Sequence, residues 1–285
     1  MKVKFFSNYM DSEDLLKRFK ANYEVYDDEL TLTVEEDYDF AVVFNRTADT
    51  IRVEAKLITV IQEPSWSDAH GLQFLTRSDY ILIHEPGLFE WNNRLKLGGK
   101  IIETPTYIFY NDEIDRSFFQ HSEKVVKTKK VSMVVSNLNF RIGNYKRRLS
   151  LVEEILKSDL DIDIYGRGLN IADPRYKGEL VHKYEGLLSY EYSIAIENCN
   201  EKNYVTEKFI DCVLCNTIPI YNGAPNITDI YDGRYMRKIE IWSDTIIEEI
   251  KEIIKEPAPD SRVNKDIYFE QYNLYAKLKE IILKN

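Results

Sequence analysis

Between Tyr192 and Gly223 the chain reads YSIAIENCNEKNYVTEKFIDCVLCNTIPIYNG, an order of residues that few folds accommodate. Ser193 to Glu197 carries the apolar run of a buried strand. A polar loop, Asn198 to Asn203, follows. Tyr204 and Val205 then lead into Thr206-Glu207-Lys208 and an apolar series at helical spacing, Phe209, Ile210, Val213 and Leu214. Thr217 to Tyr221 reads as a second short strand that ends in Asn222-Gly223. Strand, loop, helix and strand make one βαβ unit. Its polar residues gather at the carboxyl end of the first strand, the edge where open parallel sheets bind ligands.

The chemistry of that edge follows from the residue types. A helix N-terminus offers N–H groups and a partial positive charge, which suit a phosphate. Lys208, one turn in, adds a full positive charge. Glu207 would repel a phosphate and is better suited to accept hydrogen bonds from hydroxyls such as those of a ribose. Asn198 can donate and accept, and Tyr204 offers a ring face and a hydroxyl. Together these residues describe a pocket for a sugar nucleotide. A plainer account is also open: Thr206 as an N-cap, Glu207 as a first-turn acid and Lys208 as a solvated cation.

The same run resembles the signature of the α-1,3/4-fucosyltransferases, glycosyltransferase family 10. That family reads F-E-N-S, then Y-V-T-E-K, an amphipathic helix, and a strand ending T-x-P-x-x-x-G. Here the blocks are Ile196-Glu197-Asn198-Cys199, Tyr204-Val205-Thr206-Glu207-Lys208, and Thr217-Ile218-Pro219-Ile220-Tyr221-Asn222-Gly223. Three blocks fall in order at the right separations. Ile196 and Cys199 depart from the pattern without removing a polar group assigned to the donor.

A length of 285 residues suits two domains of ordinary size, each with its own core. A hydrophobic fraction of 44% argues against disorder, and a formal net charge of -10 argues against a broad nucleic-acid surface. Met1 to Tyr9 is a strand pattern rather than a signal peptide. No run approaches the ~20 apolar residues that span a bilayer. A cytoplasmic enzyme, or a catalytic domain freed of its anchor, is therefore expected. Cys199, Cys212 and Cys215 do not form a disulfide framework, and the C-x-x-C of Cys212 and Cys215 lies in an apolar helical run.

Toward the N-terminus, Lys2 to Ser7, Phe40 to Phe44, Leu57 to Ile61 and Tyr80 to Ile83 read as strands, and Asp11 to Lys20 as a helix. This alternation predicts a doubly wound α/β domain over 1–115. Gln62-Glu63-Pro64-Ser65-Trp66 ends the Leu57 strand. Family relatives carry an F-E-S-P or G-E-N-type segment there, and by this looser resemblance Glu63 is implied as the general base. An acceptor hydroxyl is a poor nucleophile until its proton is taken. Glu85, at a similar strand end, is the alternate; Asp68, His70 and Glu103 rank below it. Glu63 as the cap of a turn remains the plainer account.

The polar stretch from Tyr110 to Lys129 reads as a connector, with the linker proper at 116–129. Lys130 to Ser136 opens a second α/β domain over 130–285, and Asn144 to Leu156 is a helix. Lys146, Arg147 and Arg148 near its start oppose the macrodipole, which points to an anionic partner or to a solvated basic turn. The resemblance implies an Arg on the donor diphosphate here: Arg148, with Arg147 as alternate. Asp161-x-Asp163 could hold a divalent metal, or be the outer face of a strand with Ile162 and Ile164 inward. Ile239 to Trp242 reads as a short strand, Ser243 to Lys255 as a helix capped by Ser243, and Asp260 to Lys284 as a helical tail that packs back across the domains.

The resemblance implies two Rossmann-like α/β domains facing a cleft, the GT-B type of glycosyltransferase. It implies inverting transfer of L-fucose from GDP-fucose to a glycan hydroxyl. Glu63 would be the base, and Arg148, Asn198, Tyr204, Glu207 and Lys208 would bind the donor. No metal is required, a divalent ion at most stimulating turnover, and nucleic acid is not a partner. A transferase of the same fold with another sugar nucleotide, and an inactive glycan-binding relative, remain as alternatives.

Overall fold

The computed structural model describes every residue except 24, 110–115, 261 and 285, and all of residue 123 but its side chain. The chain divides into two compact units. The first comprises Met1–Arg116, Glu201–Thr206 and Phe269–Asn285; the second comprises Ser117–Asn200 and Glu207–Tyr268.

The first unit contains, in chain order, β1 (Lys2–Ser7), α1 (Ser12–Asn22), β2 (Thr31–Thr33), β3 (Phe40–Phe44), β4 (Lys56–Val60), α2 (Leu72–Arg77), β5 (Tyr80–Ile83), α3 (Pro86–Asn93) and β6 (Lys100–Glu103). The sheet order is β2-β1-β3-β4-β5-β6, and every pairing is parallel. All five residues of β3 are buried, as expected of a strand covered on both faces. Successive side chains point to opposite faces. Phe40, Val42 and Phe44 accordingly join a core with Phe5, Leu15 and Phe19, while Ala41 and Val43 join Phe6, Tyr38 and Phe74 on the other side. Asp11 caps α1 by accepting from the Glu13 and Asp14 amides.

The remaining elements are α4 (Arg116–Gln120), β7 (Lys129–Val134), α5 (Tyr145–Lys157), β8 (Asp163–Tyr165), β9 (Tyr176–Gly178), β10 (Tyr190–Ile196), α6 (Glu207–Leu214), β11 (Ile218–Asn222), α7 (Ile227–Ile230), β12 (Arg237–Lys238), α8 (Ile246–Ile253), α9 (Arg262–Gln271) and α10 (Leu274–Leu283). The second sheet is ordered β12-β11-β10-β7-β8-β9, again parallel throughout. Each unit is thus a Rossmann-like parallel sheet with helices. No helix among the described residues is long and apolar enough to cross a membrane.

Several details differ from the sequence expectation. Residues 110–115 of the expected connector lie outside the described residues, and α4 with a 3-10 turn at Ser122–Lys124 occupies part of the rest. Leu274, Tyr275, Leu278, Ile281 and Ile282 pack with Val3, Phe5 and Leu82. The helical tail, grouped by sequence with 130–285 and expected to pack back across the domains, thus has its last helix on the first sheet; helical periodicity marks an apolar face, not the sheet it meets. The strand expected at Ile239 to Trp242 is displaced to Arg237–Lys238, with Ile239 and Ile241 buried beyond the ladder. The helix expected from Ser243 begins at Ile246 with Thr245 in the capping position. Ser243 Oγ instead accepts from the Thr245 amide and donates to Glu249.

In the first unit His70 is buried with Nε2 donating to the Pro64 carbonyl at 2.8 Å, next to Glu63. Burial, the largest influence, pushes its imidazole down to about 4. A depressed folded value means the stabilisation is complete above ~6.5 and lost as pH falls through about 4. The stability advantage of the native chain over His70→Gln should shrink by roughly 3 kcal/mol between pH 7 and 4. Chemical denaturation of both proteins across that window measures it; a constant difference would refute the assignment.

Candidate nucleotide-sugar site

In the second unit the strand order reverses between β7 and β10: β8 and β9 lie to one side of that pair, β11 and β12 to the other. Crossovers depart in opposite directions from such a point and leave a crevice at the carboxyl ends of the strands. A cavity of about 790 Å³ lies there. Its wall combines Ser136 and Asn137 beyond β7, Gly166 to Gly168 beyond β8, Glu179 beyond β9 and the end of β10 with Arg148 on α5 and Lys208 on α6.

Two glycines permit these close approaches. A Cβ on Gly166 would sit 1.5 Å from the Val135 carbonyl oxygen, and one on Gly223 would sit 2.4 Å from Glu197 Cγ. The second explains the glycine that ends the T-x-P-x-x-x-G run: it lets the β11 end lie against the buried Glu197.

α6 forms from an apolar face, with Phe209, Ile210, Val213 and Leu214 buried, and directs Glu207, Lys208 and Asp211 into the cavity. Lys208 Nζ lies 2.8 Å from Glu207 Oε1 and 3.9 Å from Glu197 Oε2. Lys183, from the loop before β10, lies 3.3 Å from Asp211 Oδ2 and 3.9 Å from Glu207 Oε1. Burial works to raise the Glu207 carboxyl, but the Lys208 and Lys183 charges outweigh it and hold Glu207 well below the carboxylate range. Burial wins at Asp211, whose carboxyl is raised despite Lys183. At neutral pH Glu207 is therefore an ionised acceptor. An incoming diphosphate would meet cations already engaged by carboxylates and would compete with them.

Arg148 is buried along its stem, packs its guanidinium 4.6 Å from the Tyr145 ring centroid, and donates through Nη1 to Asn198 Oδ1 at 3.0 Å. Asn198 thus orients Arg148 and is not itself part of the cavity wall. Arg147 points elsewhere: its guanidinium is bound by Glu154 and its Nε donates to the Ile241 carbonyl. Of the paired arginines only Arg148 lines the cavity.

Tyr204 belongs to the first unit, buried with its ring 5.1 Å from the ring of His84. It is not part of the cavity wall. Glu63 is also in the first unit, half-buried on the turn beyond β4. Glu85, beyond β5, accepts from the Lys202 amide at 2.7 Å, and Glu103 takes the Lys202 ammonium and the Asn203 amide. Asp68 is exposed, and its carbonyl accepts from Arg46.

The Asp161-x-Asp163 alternatives are also distinguished. Ile162 and Ile164 are buried in the second core, and Asp163 is neutralised by Lys129 and Lys177 at 2.8 and 3.2 Å. Among the described residues no group of three or more His, Cys, Asp or Glu is placed to hold a metal ion. Cys212 Sγ donates to the Lys208 carbonyl at 3.3 Å, and burial pushes both the Cys212 and the Cys215 thiol far up.

Sequence reasoning missed Glu179, Lys183 and Asp211. Asp211 had a signal, since it follows Glu207 by four positions and so shares its helix face. Glu179 comes from an irregular segment and Lys183 from a single 3-10 turn, Lys183–Gly186, too short for periodicity to reveal its direction.

Residues 124–235 match the C-terminal domain model of glycosyltransferase family 10 (fucosyltransferase). A fucosyltransferase-like protein of Arabidopsis thaliana is 39% identical over 82 residues, covering 29% of this chain and 15% of that protein. The glycoprotein 3-alpha-L-fucosyltransferase A of Drosophila melanogaster is 29% identical over 184 residues, covering 62% of this chain and 35% of its own length. The chain therefore spans well under half the length of these relatives. A crystal structure of an α1,3-fucosyltransferase with GDP-fucose superposes with a TM-score of 0.55 at 18% identity, covering 95% of this chain and 81% of that one. That superposition shows a shared two-domain fold of the GT-B type. Over residues 124–235 the chain is thus similar to glycosyltransferase family 10, the fucosyltransferase family.

Proposed function

We propose that the chain is an inverting glycosyltransferase that moves L-fucose from GDP-fucose to a hydroxyl of a glycan acceptor. The observation that carries the reading is the second-unit cavity, where Lys208 and Glu207 of the family signature share one wall system with Arg148. GDP-fucose as donor is supported by the ligand of the structurally similar α1,3-fucosyltransferase. In this reading the diphosphate takes the Lys208 ammonium and the Arg148 guanidinium, and the ionised Glu207 accepts from the ribose hydroxyls.

The chemistry needs two contributions. As the bond to fucose breaks, negative charge accumulates on the departing GDP, and preorganised cations stabilise it in the transition state. Arg148 is held for this by Asn198, so little reorganisation accompanies the step. The attacking hydroxyl must also lose its proton, which we assign to Glu63 on the first unit. Attack on the face opposite the leaving group inverts the anomeric centre. Glu85 is less suited to the base role because its carboxylate already anchors the Lys202 amide.

Thermal denaturation with nucleotides tests the donor. GDP at 100 times its dissociation constant should stabilise the protein by roughly 2.7 kcal/mol. A larger response to UDP would favour a transferase with a different donor, and no response to any nucleotide would favour a glycan-binding protein without turnover.

For the base, Glu63→Gln should lower turnover about 10²- to 10⁴-fold, the usual range for general base catalysis, and leave the GDP response intact. Product analysis with defined disaccharides measures it. Retained turnover would move the role from Glu63, with Glu85→Gln as the next variant.

A further inference from the structure

The segment joining β10 to α6 carries a carboxylate that neither the family signature nor the donor cavity uses. Glu201 is buried, belongs to the first unit, and is bound on both oxygens. The Ser65 amide donates to Oε2 at 2.9 Å, Ser65 Oγ donates to Oε1 at 2.8 Å, and His84 Nε2 donates to Oε2 at 2.7 Å. Ser65 and His84 are fully buried. Asn93 Nδ2 donates to the Ser65 carbonyl at 2.9 Å, closing the turn from the α3 side. Next along the chain, the Lys202 amide donates to Glu85 and Asn203 Nδ2 donates to the His84 carbonyl. The 201–203 segment thus ties together the carboxyl ends of β4 and β5.

A buried carboxylate costs several kcal/mol to desolvate unless its oxygens are well satisfied. Burial works to raise the Glu201 carboxyl, but the His84 hydrogen bond and the Ser65 donors outweigh it and hold the group below its usual range. The group is therefore an ionised anchor, and what it anchors is the turn Glu63-Pro64-Ser65. An apolar residue would pack the same space without fixing the direction of that turn. Three donors converging on one carboxylate do fix it, because each hydrogen bond is directional.

We infer that Glu201 is a positioning residue for catalysis, holding the Glu63 turn through Ser65 and His84 and so setting where the base presents its carboxylate. The inference rests on the proposed role of Glu63. It gives the six-residue stretch 201–206 a double duty. The stretch belongs by its contacts to the unit that carries the base, and it continues directly into α6, which lines the donor cavity.

The test uses the full chain with Trp91 and Trp242, both largely exposed, changed to Phe, so that Trp66 beside Ser65 is the remaining tryptophan. Glu201→Gln in this background should at least double the acrylamide quenching constant of Trp66. It should lower kcat for GDP release from GDP-fucose at least tenfold, with the KM for GDP-fucose and the thermal response to GDP within twofold of the parent. Ser65→Ala, which keeps the amide bond to Glu201, should move both readouts the same way by a smaller factor, and it decides the matter if Glu201→Gln does not fold. Glu201→Asp should recover part of kcat. Unchanged Trp66 quenching, unchanged kcat, or a loss confined to KM would overturn the inference. Full turnover by Glu63→Gln together with altered Trp66 quenching in Glu201→Gln would instead retain the anchor and remove the base from Glu63.

Discussion

The reversal of strand order between β7 and β10 is the constraint on which the candidate donor site depends. Parallel strands cannot be joined by hairpins, so each connection must cross a face of the sheet. Where successive connections leave in opposite directions, the carboxyl edge stays open. Glu197, Gly166, the α5 face with Arg148 and the first turn of α6 all meet at that edge. The glycines at 166 and 223 are required by how closely the backbone comes together there.

Charge then sets what the edge can hold. Lys208 and Lys183 are paired with Glu207 and Asp211 in the cavity wall, which limits its excess of positive charge. Exchange of a carboxylate partner for a diphosphate costs less than bringing a cation out of water, because the cations are already partly desolvated. Arg148 donates to the neutral Asn198 amide oxygen and lies against the Tyr145 ring, contacts that orient its guanidinium. The local arrangement is consistent with the acidic balance of the whole chain: in the proposed reading an anion would be met by a few oriented groups, not by a broad positive field.

How much of this was legible beforehand varies with the kind of signal. The β10–α6–β11 unit could be read because its apolar runs switch from strand to helix to strand with polar residues at one junction. Arg148 and Arg147 are adjacent in a helix start, and sequence ranks them only through resemblance; the separation came from Glu154, one further helical turn pair along the face Arg147 occupies. Tyr204 sits in a contiguous motif with Glu207, yet its environment is the His84 side of the first unit, since chain proximity at a loop does not fix side-chain direction. The destination of α10 was hidden for a related reason: amphipathicity shows that a face is buried, while the choice of sheet depends on shape complementarity with residues far away in sequence. Glu201 lies in a loop that the sequence marks only as polar, and its three converging donors are what point to its role.

The central claim is that the crevice beside β7 and β10 receives a nucleoside diphosphate, and amide hydrogen exchange with and without GDP tests it most directly. The account predicts slowed exchange in peptides covering 206–212 and 144–150, with the edge strands β2 and β6 unaffected. Protection confined to the first unit, or no protection at saturating GDP, would contradict it.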